Sequence, residues 1–260
     1  MMSLDAIKNF YPGFLKNSAA GMKHILKEYV QLLVLDHLAT TQHARKLVFI
    51  GGTCLRLTKG IDRFSEDLDF DCKDLDEEEF RTMADNVVTF LARNGLKAEI
   101  RNKDNSRLTA FRSSIHFPEL LFGLGLTGHR DERFMLKLEA QDQGVGYERV
   151  TANIKGCGLF FPFPVPPDPV LCSMKLAALL SRCKGRDCYD AMFLLQQTAP
   201  DYPFLARRSG IHDLPELKSA VQATLKDVDL NQKRKDLEHL LFHRDNSERI
   251  TRFREFIQSM

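Results

Sequence analysis

The chain has 260 residues, of which 43% are hydrophobic and 28% charged, and its formal net charge is +2. This length allows one large domain or two modest ones, and the composition is that of a globular protein. The small net charge excludes bulk attraction to an acidic polymer, so any contact with nucleic acid must be local. No apolar run reaches the roughly 20 residues of a membrane helix, and the N-terminal segment lacks the features of a secretory signal.

The cysteines indicate a reduced setting. None of them forms a C-x-x-C pair, so a zinc knuckle is not expected. Most lie among apolar residues, which is typical of small core side chains, and we expect a cytoplasmic protein without disulfides. The six cysteines are Cys54, Cys72, Cys157, Cys172, Cys183 and Cys188.

The first part of the chain mixes helical and strand patterns. Apolar residues recur at helical spacing over 18–40, and "DEEEFRTMADNVVTFLARNG" (76–95) begins with acids and ends in Gly95, as a helix does. A short helix is predicted over 53–59. Strands are predicted over 46–50, 67–72, 96–102, 107–117, 133–141 and 153–161.

The pattern changes at "PFPVPPDPV" (162–170), whose prolines predict a linker or rigid turn. Everything after it is helical in pattern, beginning with helices over 168–183 and 186–197 and followed by three or four more. We therefore predict an α/β domain over 1–165 and a helical domain over 166–260.

Asp67 and Asp69 lie in "DLDFDC", which otherwise has the pattern of a buried strand. Because residues i and i+2 of a strand face the same side, the two carboxylates point together while Leu68 and Phe70 point into the core. A divalent cation would remove their mutual repulsion, and Mg²⁺ prefers carboxylate oxygens and leaves positions for phosphate. Such ions polarise a phosphoryl group and activate an attacking hydroxyl. A D-x-D alone is common, however, and Asp67 could simply cap a turn.

The residues before the D-x-D favour the metal interpretation. Gly51 and Gly52 at a strand end would let the backbone approach a phosphate, and the helix that follows points free N–H groups at an anion. Ser65 lies on the Asp67 side of the strand, where it could touch a phosphate or the metal shell, and Arg63 has the same parity.

"GGTCLRLTKGIDRFSEDLDF" resembles the signature of the AbiEii/AbiGii-type nucleotidyltransferase toxins, a branch of the DNA polymerase β-like superfamily. The resemblance implies an α+β fold, in which a nucleotidyltransferase domain with a mixed β-sheet flanked by helices precedes a C-terminal helical domain that completes the nucleotide site. It implies Asp67 and Asp69 as catalytic metal ligands for Mg²⁺ or Mn²⁺. The nucleotide would contact Gly51, Gly52, Thr53, Arg63 and Ser65.

Two later segments extend the resemblance. "RFMLKLEAQ" resembles the family's K-L-E segment, so Glu139 would be the third metal ligand or the catalytic base, with Lys137 at the nucleotide; an exposed strand face with a Lys–Glu pair is the alternative. Lys175 and Arg182 share one helix stripe, which Gly185 is predicted to end. A lysine followed by R-D-x-x-D resembles the second signature of the same family. This resemblance implies that Lys175, assisted by Arg186 or Arg182, holds the triphosphate.

The two aspartates of R-D-x-x-D have structural explanations as well. Asp187 would either act in catalysis, as the resemblance implies, or cap a helix and offset its dipole. Asp190 would form an i, i+4 pair with Arg186 of little energetic weight.

Two weaker patterns concern RNA. His239 and His243 are spaced i, i+4, and "RKDLEH" (234–239) matches a loose R-x4-H ribonuclease pattern, but both are short enough to arise by chance. A basic stretch over 93–112 either binds an RNA backbone or forms a solvated hairpin. Its bases are Arg93, Lys97, Arg101, Lys103, Arg107 and Arg112.

The resemblance implies a metal-dependent enzyme that moves a nucleotide from a nucleoside triphosphate to an acceptor hydroxyl and releases pyrophosphate. It also implies the toxin of a type IV toxin–antitoxin or abortive-infection pair, with tRNA 3′ ends as the leading acceptor and a cognate antitoxin protein as partner. One alternative is a transferase that acts on an antibiotic or metabolite. The other is a helical ribonuclease or an RNA-binding module without transferase activity.

Overall fold

The structure is a computed structural model that describes residues 2–102 and 110–260. It divides into two compact units. The first comprises Met1–Lys59, Phe64–Gln143 and Thr151–Val165, and the second comprises Gly60–Arg63, Gly144–Val150 and Pro166–Met260. No helix among the described residues has the length and apolar character needed to cross a membrane.

The first unit is α+β. Its helices are α1 (Leu4–Lys8), α2 (Gly13–Lys16), α3 (Ala19–Ala39), α4 (Gly51–Cys54), α5 (Glu77–Arg93) and α6 (Leu120–Gly123). Its strands are β1 (Leu47–Ile50), β2 (Leu68–Cys72), β3 (Glu99–Ile100), β4 (Phe111–His116), β5 (Met135–Ala140), β6 (Val150–Gly156) and β7 (Leu159–Val165). A 3₁₀ turn (Gln42–Arg45) precedes β1, and a π-helical turn (Leu55–Lys59) continues α4.

The described strands form a five-stranded mixed sheet in the order β1-β2-β5-β4-β3, and β6 pairs with β7 separately. Strands β2 and β5 run parallel, whereas the other pairs are antiparallel. Alternation along β2 places Leu68 and Phe70 in the core, as predicted. Phe70 packs with Phe49 of β1 and Phe163 of β7 at centroid distances of 5.8 and 6.0 Å, so the apolar face of the sheet is covered.

Helix α3 is buried all round between residues 28 and 35, which is why it also buries polar side chains. Glu28 is 4% exposed and accepts hydrogen bonds from the Tyr11 hydroxyl and from Arg56. Gln31 donates to the Ser65 carbonyl at 3.1 Å. These bonds fix α4 and the chain before β2 against the central helix.

Two predictions about 153–170 are wrong in detail. The segment 153–161 is the hairpin of β6 and β7 rather than one strand, and Pro162 and Pro164 lie inside β7 rather than in a linker. Because the two prolines are two residues apart, the positions of their missing N–H groups lie on the same edge of the strand. Only Pro166 and Pro167 remain between this strand and the next helix.

The second unit is helical. Its helices are α7 (Asp168–Arg182), α8 (Gly185–Leu195), α9 (Tyr202–Ser209), α10 (Leu214–Leu225), α11 (Leu230–Glu238) and α12 (Phe253–Ser259), with a 3₁₀ segment over Arg244–Arg252. Gly185 was predicted to end α7 but begins α8. A Cβ there would lie 2.0 Å from the Lys233 carbonyl oxygen, so close backbone packing requires glycine. Cys183, in a left-handed conformation, ends α7 instead.

Candidate active site

The predicted carboxylates of the first unit meet on the polar face of the sheet. In the parallel pair of β2 and β5, Asp69 is the Cα partner of Glu139, so their side chains point to the same side. Asp67 lies one residue before β2 with the same parity, and both Lys137 and Glu139 influence its titration. We refer to Asp67, Asp69, Lys137 and Glu139 as the acidic face.

Asp67 is held in an environment that disfavours its own charge. Burial raises the pKa of its carboxyl, Glu66 and Glu139 raise it further, and Lys137 opposes them. The hydroxyl of Thr53 donates to the Asp67 carbonyl, which fixes the backbone at this point. A cation bound here would therefore stabilise the ionised carboxylate.

Asp69 lies against the start of α4. Gly51 has φ +83°, and a Cβ at this position would meet the Asp69 Oδ2 atom at 2.2 Å. Both the backbone conformation and the close approach thus require glycine. A carboxylate is favourable at a helix N-terminus because of the orphan N–H groups there. The glycine turn that was predicted to receive phosphate thus contacts Asp69.

Glu139 is ion-paired across the sheet. Its carboxylate accepts from Arg112 of β4 at 2.8 and 2.9 Å, and Arg112 is its Cα partner in the ladder. The sequence had placed Arg112 in a basic stretch, and its contact with the acidic face was missed. The alternation of "FRSSIH" (111–116) was the signal that could have placed Arg112 on the polar side.

The donor set of the acidic face fits Mg²⁺ in part. Carboxylate oxygens are its preferred protein ligands, and one or two of them usually suffice beside water and phosphate. Across residues 2–102 and 110–260, no group of three or more His, Cys, Asp and Glu side chains is arranged to hold a metal. Asp67 and Asp69 share the parity of β2 and would be the ligands, and Glu139 would have to leave Arg112 to join them.

The remaining predicted residues of the first unit differ in accessibility. Gly52 and Thr53 are buried at the start of α4, and Ser65 is 9% exposed. Lys137 is half-buried beside Asp67 and forms no ion pair with a described residue. Lys137 is thus the cation best placed to meet an anionic ligand here.

In the second unit, Lys175 belongs to a buried cluster that the sequence did not predict. Asp190 accepts two hydrogen bonds from Arg63, at 2.7 and 2.6 Å, and one from Lys175 at 2.8 Å. Burial alone would raise the pKa of Asp190, but these two cations hold it below its ordinary value. The Arg63 side chain is 1% exposed. This burial favours a structural role for Arg63 over the predicted contact with nucleotide. Asp190 pairs with Arg63 and Lys175 rather than with Arg186 as predicted.

Asp187 has the geometry of a capping residue. Its carboxylate accepts from the Lys184 backbone N–H at 3.1 Å and from Arg182 at 3.0 and 2.8 Å, and it is fully buried. Arg186 is half-buried and makes no ion pair with the described residues. The geometry thus supports the structural explanation for Asp187 and leaves Arg186 accessible.

The structure adds little support to the two weaker sequence patterns that concern RNA. His239 ends α11 and His243 precedes the 3₁₀ segment, so they do not share a helix face as their spacing suggested. Arg234 pairs with Glu248 and Glu238. Lys103 and Arg107 of the basic stretch lie outside the described residues, and Arg101 pairs with Glu99.

Fold and site together define a nucleotidyltransferase, with a mixed sheet that presents acids beside a glycine turn. The chain belongs to the AbiEii family, described as "Nucleotidyl transferase AbiEii toxin, Type IV TA system", whose model matches residues 33–259. It is thus a nucleotidyltransferase of a toxin family that uses nucleoside triphosphates. The resemblance stated from the sequence is confirmed.

Solved structures share the fold. The chain is similar to MenT4, the nucleotidyltransferase toxin Rv2826c from Mycobacterium tuberculosis H37Rv, at TM-score 0.61 and 18% identity, covering 100% of this chain and 91% of that one. It is also similar to JHP933 from Helicobacter pylori, at TM-score 0.54 and 22% identity, covering 91% and 90%. No curated protein matches the chain significantly.

Proposed function

We propose that this enzyme transfers a nucleotide from a nucleoside triphosphate to the 3′-terminal hydroxyl of tRNA, with Mg²⁺, or Mn²⁺ in its place, held by Asp67 and Asp69. The supporting observation is the acidic face, where Asp69 lies opposite Glu139 in the strand ladder and Asp67 is half-buried near Lys137, Glu66 and Glu139. When bound, the ion would neutralise charge on the phosphates and lower the pKa of the attacking hydroxyl.

The neighbouring side chains have separate tasks in this proposal. Lys137 binds a phosphate oxygen, because it is a cation without an ion pair among the described residues beside Asp67. Glu139 accepts the proton of the attacking hydroxyl, and its pairing with Arg112 at 2.8 Å keeps it oriented until substrate arrives. Thr53 holds the backbone of Asp67 by a hydrogen bond, and Gly51 leaves room for the Asp69 carboxylate.

In the helical unit, we assign an anion-binding role to Lys175 and Arg186. In the buried cluster, both Arg63 and Lys175 contact the carboxylate of Asp190. Lys175 keeps 8% of its side chain exposed against 1% for Arg63, so an anion would reach Lys175 first. Loss of affinity for inorganic triphosphate in Lys175→Met would support this role, and unchanged affinity would contradict it.

The central experiment incubates purified protein with labelled nucleoside triphosphates, Mg²⁺ and total tRNA. We expect label in tRNA from the wild type and none from Asp69→Asn, which keeps the shape of the side chain but removes its charge. Asp74→Asn is the matched control, since Asp74 is exposed just after the same strand. Equal transfer by wild type and Asp69→Asn would refute the role of the acidic face, and activity after chelation of divalent ions would refute metal dependence.

Acceptor and partner are separate parts of the proposal. Label in a small molecule rather than in tRNA would favour the antibiotic or metabolite alternative. Growth arrest that His239→Ala abolishes while Asp67→Ala leaves it intact would favour the ribonuclease alternative. We also propose that a cognate antitoxin protein limits the activity in the cell, so induced wild type should arrest growth and Asp69→Asn should not.

A further inference from the structure

A stripe of polar side chains on helix α3 faces the end of the sheet at which β2 begins. Gln31 donates a hydrogen bond to the Ser65 carbonyl at 3.1 Å. The Lys27 ammonium lies 3.7 Å from the Glu66 carboxylate. Because residues i and i+4 of a helix share one face, Lys27 and Gln31 approach consecutive residues of the segment that leads into Asp67. Lys27 therefore lies beside the first residue of the acidic face, although no sequence pattern indicated it.

Lys27 also lies against the start of β5. Its ammonium is 5.8 Å from the centroid of the Phe134 ring, and Phe134 directly precedes Met135, the first residue of that strand. A cation is attracted to the face of an aromatic ring, and the aliphatic stem of a lysine packs on apolar surface. Since β2 and β5 run parallel, the ammonium lies where both strands of the acidic face begin. Consistent with this position, burial raises the pKa of Asp67 and the charge of Lys27 opposes the rise.

The contact between Lys27 and Glu66 is loose enough to be exchanged for a ligand. At 3.7 Å the two groups are too far apart for a hydrogen bond, and their side chains are 17% and 40% exposed. Partly exposed ion pairs of this kind contribute little to stability. A phosphate oxygen can accept the charge-assisted hydrogen bond that Glu66 does not accept here.

The preceding lysine on the same helix face, Lys23, provides an internal contrast. Its ammonium donates a hydrogen bond to the carboxylate of Glu132, three residues before β5. Lys23 would have to give up that bond before it could bind another anion. No hydrogen bond to a described residue holds the ammonium of Lys27 in the same way. The two lysines thus differ in how readily they can turn to a ligand.

We propose that Lys27 is a substrate-binding residue, whose ammonium moves from Glu66 to a phosphate oxygen of the nucleoside triphosphate. This inference rests on the proposed function, because it takes the triphosphate to bind beside Asp67 and Asp69. Without substrate, Glu66 keeps Lys27 near the strand ends by charge alone. With substrate, Lys27 neutralises part of the phosphate charge from α3, while Lys137 does so from β5.

Calorimetric binding of inorganic triphosphate in the presence of Mg²⁺ tests the proposal without any acceptor. Lys27→Met keeps the aliphatic stem over Phe134 and removes the charge. We expect its Kd to rise by about tenfold or more, as for the loss of one charge-assisted hydrogen bond. Lys27→Arg should restore most of the affinity, and the control Lys23→Met should bind as the wild type does. Equal affinity of wild type and Lys27→Met, or no binding by either, would overturn the proposal.

Removal of the competing anion provides a second measurement. Glu66→Gln should lower the Kd for triphosphate, because Lys27 then has no counter-ion to leave. In the Lys27→Met background the same substitution should change the Kd much less. A merely structural role of Lys27 would not produce this dependence of one substitution on the other. An equal effect of Glu66→Gln in both backgrounds would overturn the exchange of Lys27 between Glu66 and phosphate.

Nucleotide transfer to tRNA is measured separately on the same variants. Lys27→Met should raise the KM for the nucleoside triphosphate and leave kcat nearly unchanged, because the lysine contacts the phosphates and carries no proton in the reaction. A fall in kcat at unchanged KM would contradict a binding role. Triphosphate binding that depends on Lys27 in a protein that labels no tRNA would support this inference and count against the proposed acceptor.

Discussion

Replacement of Asp190 by alanine should strongly destabilise the helical unit. The carboxylate accepts three charge-assisted hydrogen bonds, at 2.7 and 2.6 Å from Arg63 and at 2.8 Å from Lys175. The side chains are 1%, 8% and 0% exposed for Arg63, Lys175 and Asp190. Water therefore cannot replace the lost partner of Arg63 without rearrangement of the core.

The expected magnitude follows from this burial. Removal of one partner of a buried ion pair leaves an uncompensated charge and typically costs about 3–5 kcal/mol. That is a large part of the roughly 5–15 kcal/mol by which domains are stable. For a chain of this size we expect a fall in Tm on the order of 10 °C.

Urea and thermal unfolding followed by circular dichroism would measure this change. Glu77→Ala is the control, because Glu77 and Arg81 form an ion pair with side chains 66% and 68% exposed. Such surface pairs are worth about 0–1 kcal/mol. If Asp190→Ala lost no more stability than Glu77→Ala, the argument that the cluster stabilises the unit through buried charge would be wrong.

Three further expectations follow from the same structure. Because the pKa of Asp190 is lowered on folding, its stabilisation is present above the unfolded value of about 4 and is lost as pH falls through the folded value. The difference in unfolding free energy between wild type and Asp190→Ala should therefore shrink in acid titrations below that pH. Gly51→Ala combines left-handed strain with a contact of 2.2 Å between the new Cβ and Asp69. It should therefore lower the free energy of unfolding by more than Gly95→Ala, which has the backbone strain alone and costs about 1–2 kcal/mol. Equal losses of unfolding free energy in chemical denaturation would contradict the packing argument. Burial raises the pKa of Asp67, so its charge is unfavourable in the metal-free protein. Asp67→Asn should therefore abolish nucleotide transfer yet stabilise the metal-free protein by about 0.5–2 kcal/mol, the usual range for a stabilising substitution. A lower Tm for metal-free Asp67→Asn in scanning fluorimetry would show that the carboxylate is not strained.

Local pattern determined much of the first unit. The alternation of "DLDFDC" predicted which side of β2 is buried, because the two-residue period of a strand is a local property. Helix α5 begins at the capping residue Asp76 and ends before Gly95, as its acidic start and glycine stop predicted. The family motif likewise lies in one short segment, so the sequence alone was enough to indicate a nucleotidyltransferase.

Only the tertiary structure decided how the charged residues are paired. Arg63 meets Asp190 across 127 residues of chain, and Arg112 meets Glu139 across 27. Neither partner is visible from spacing, because ion pairs between distant segments depend on which elements the fold brings together. The same is true of Gly185, whose need for a small side chain comes from the Lys233 backbone. The sequence therefore determined the elements and the kind of chemistry, whereas packing decided which charges are buried as structural pairs and which remain for a ligand.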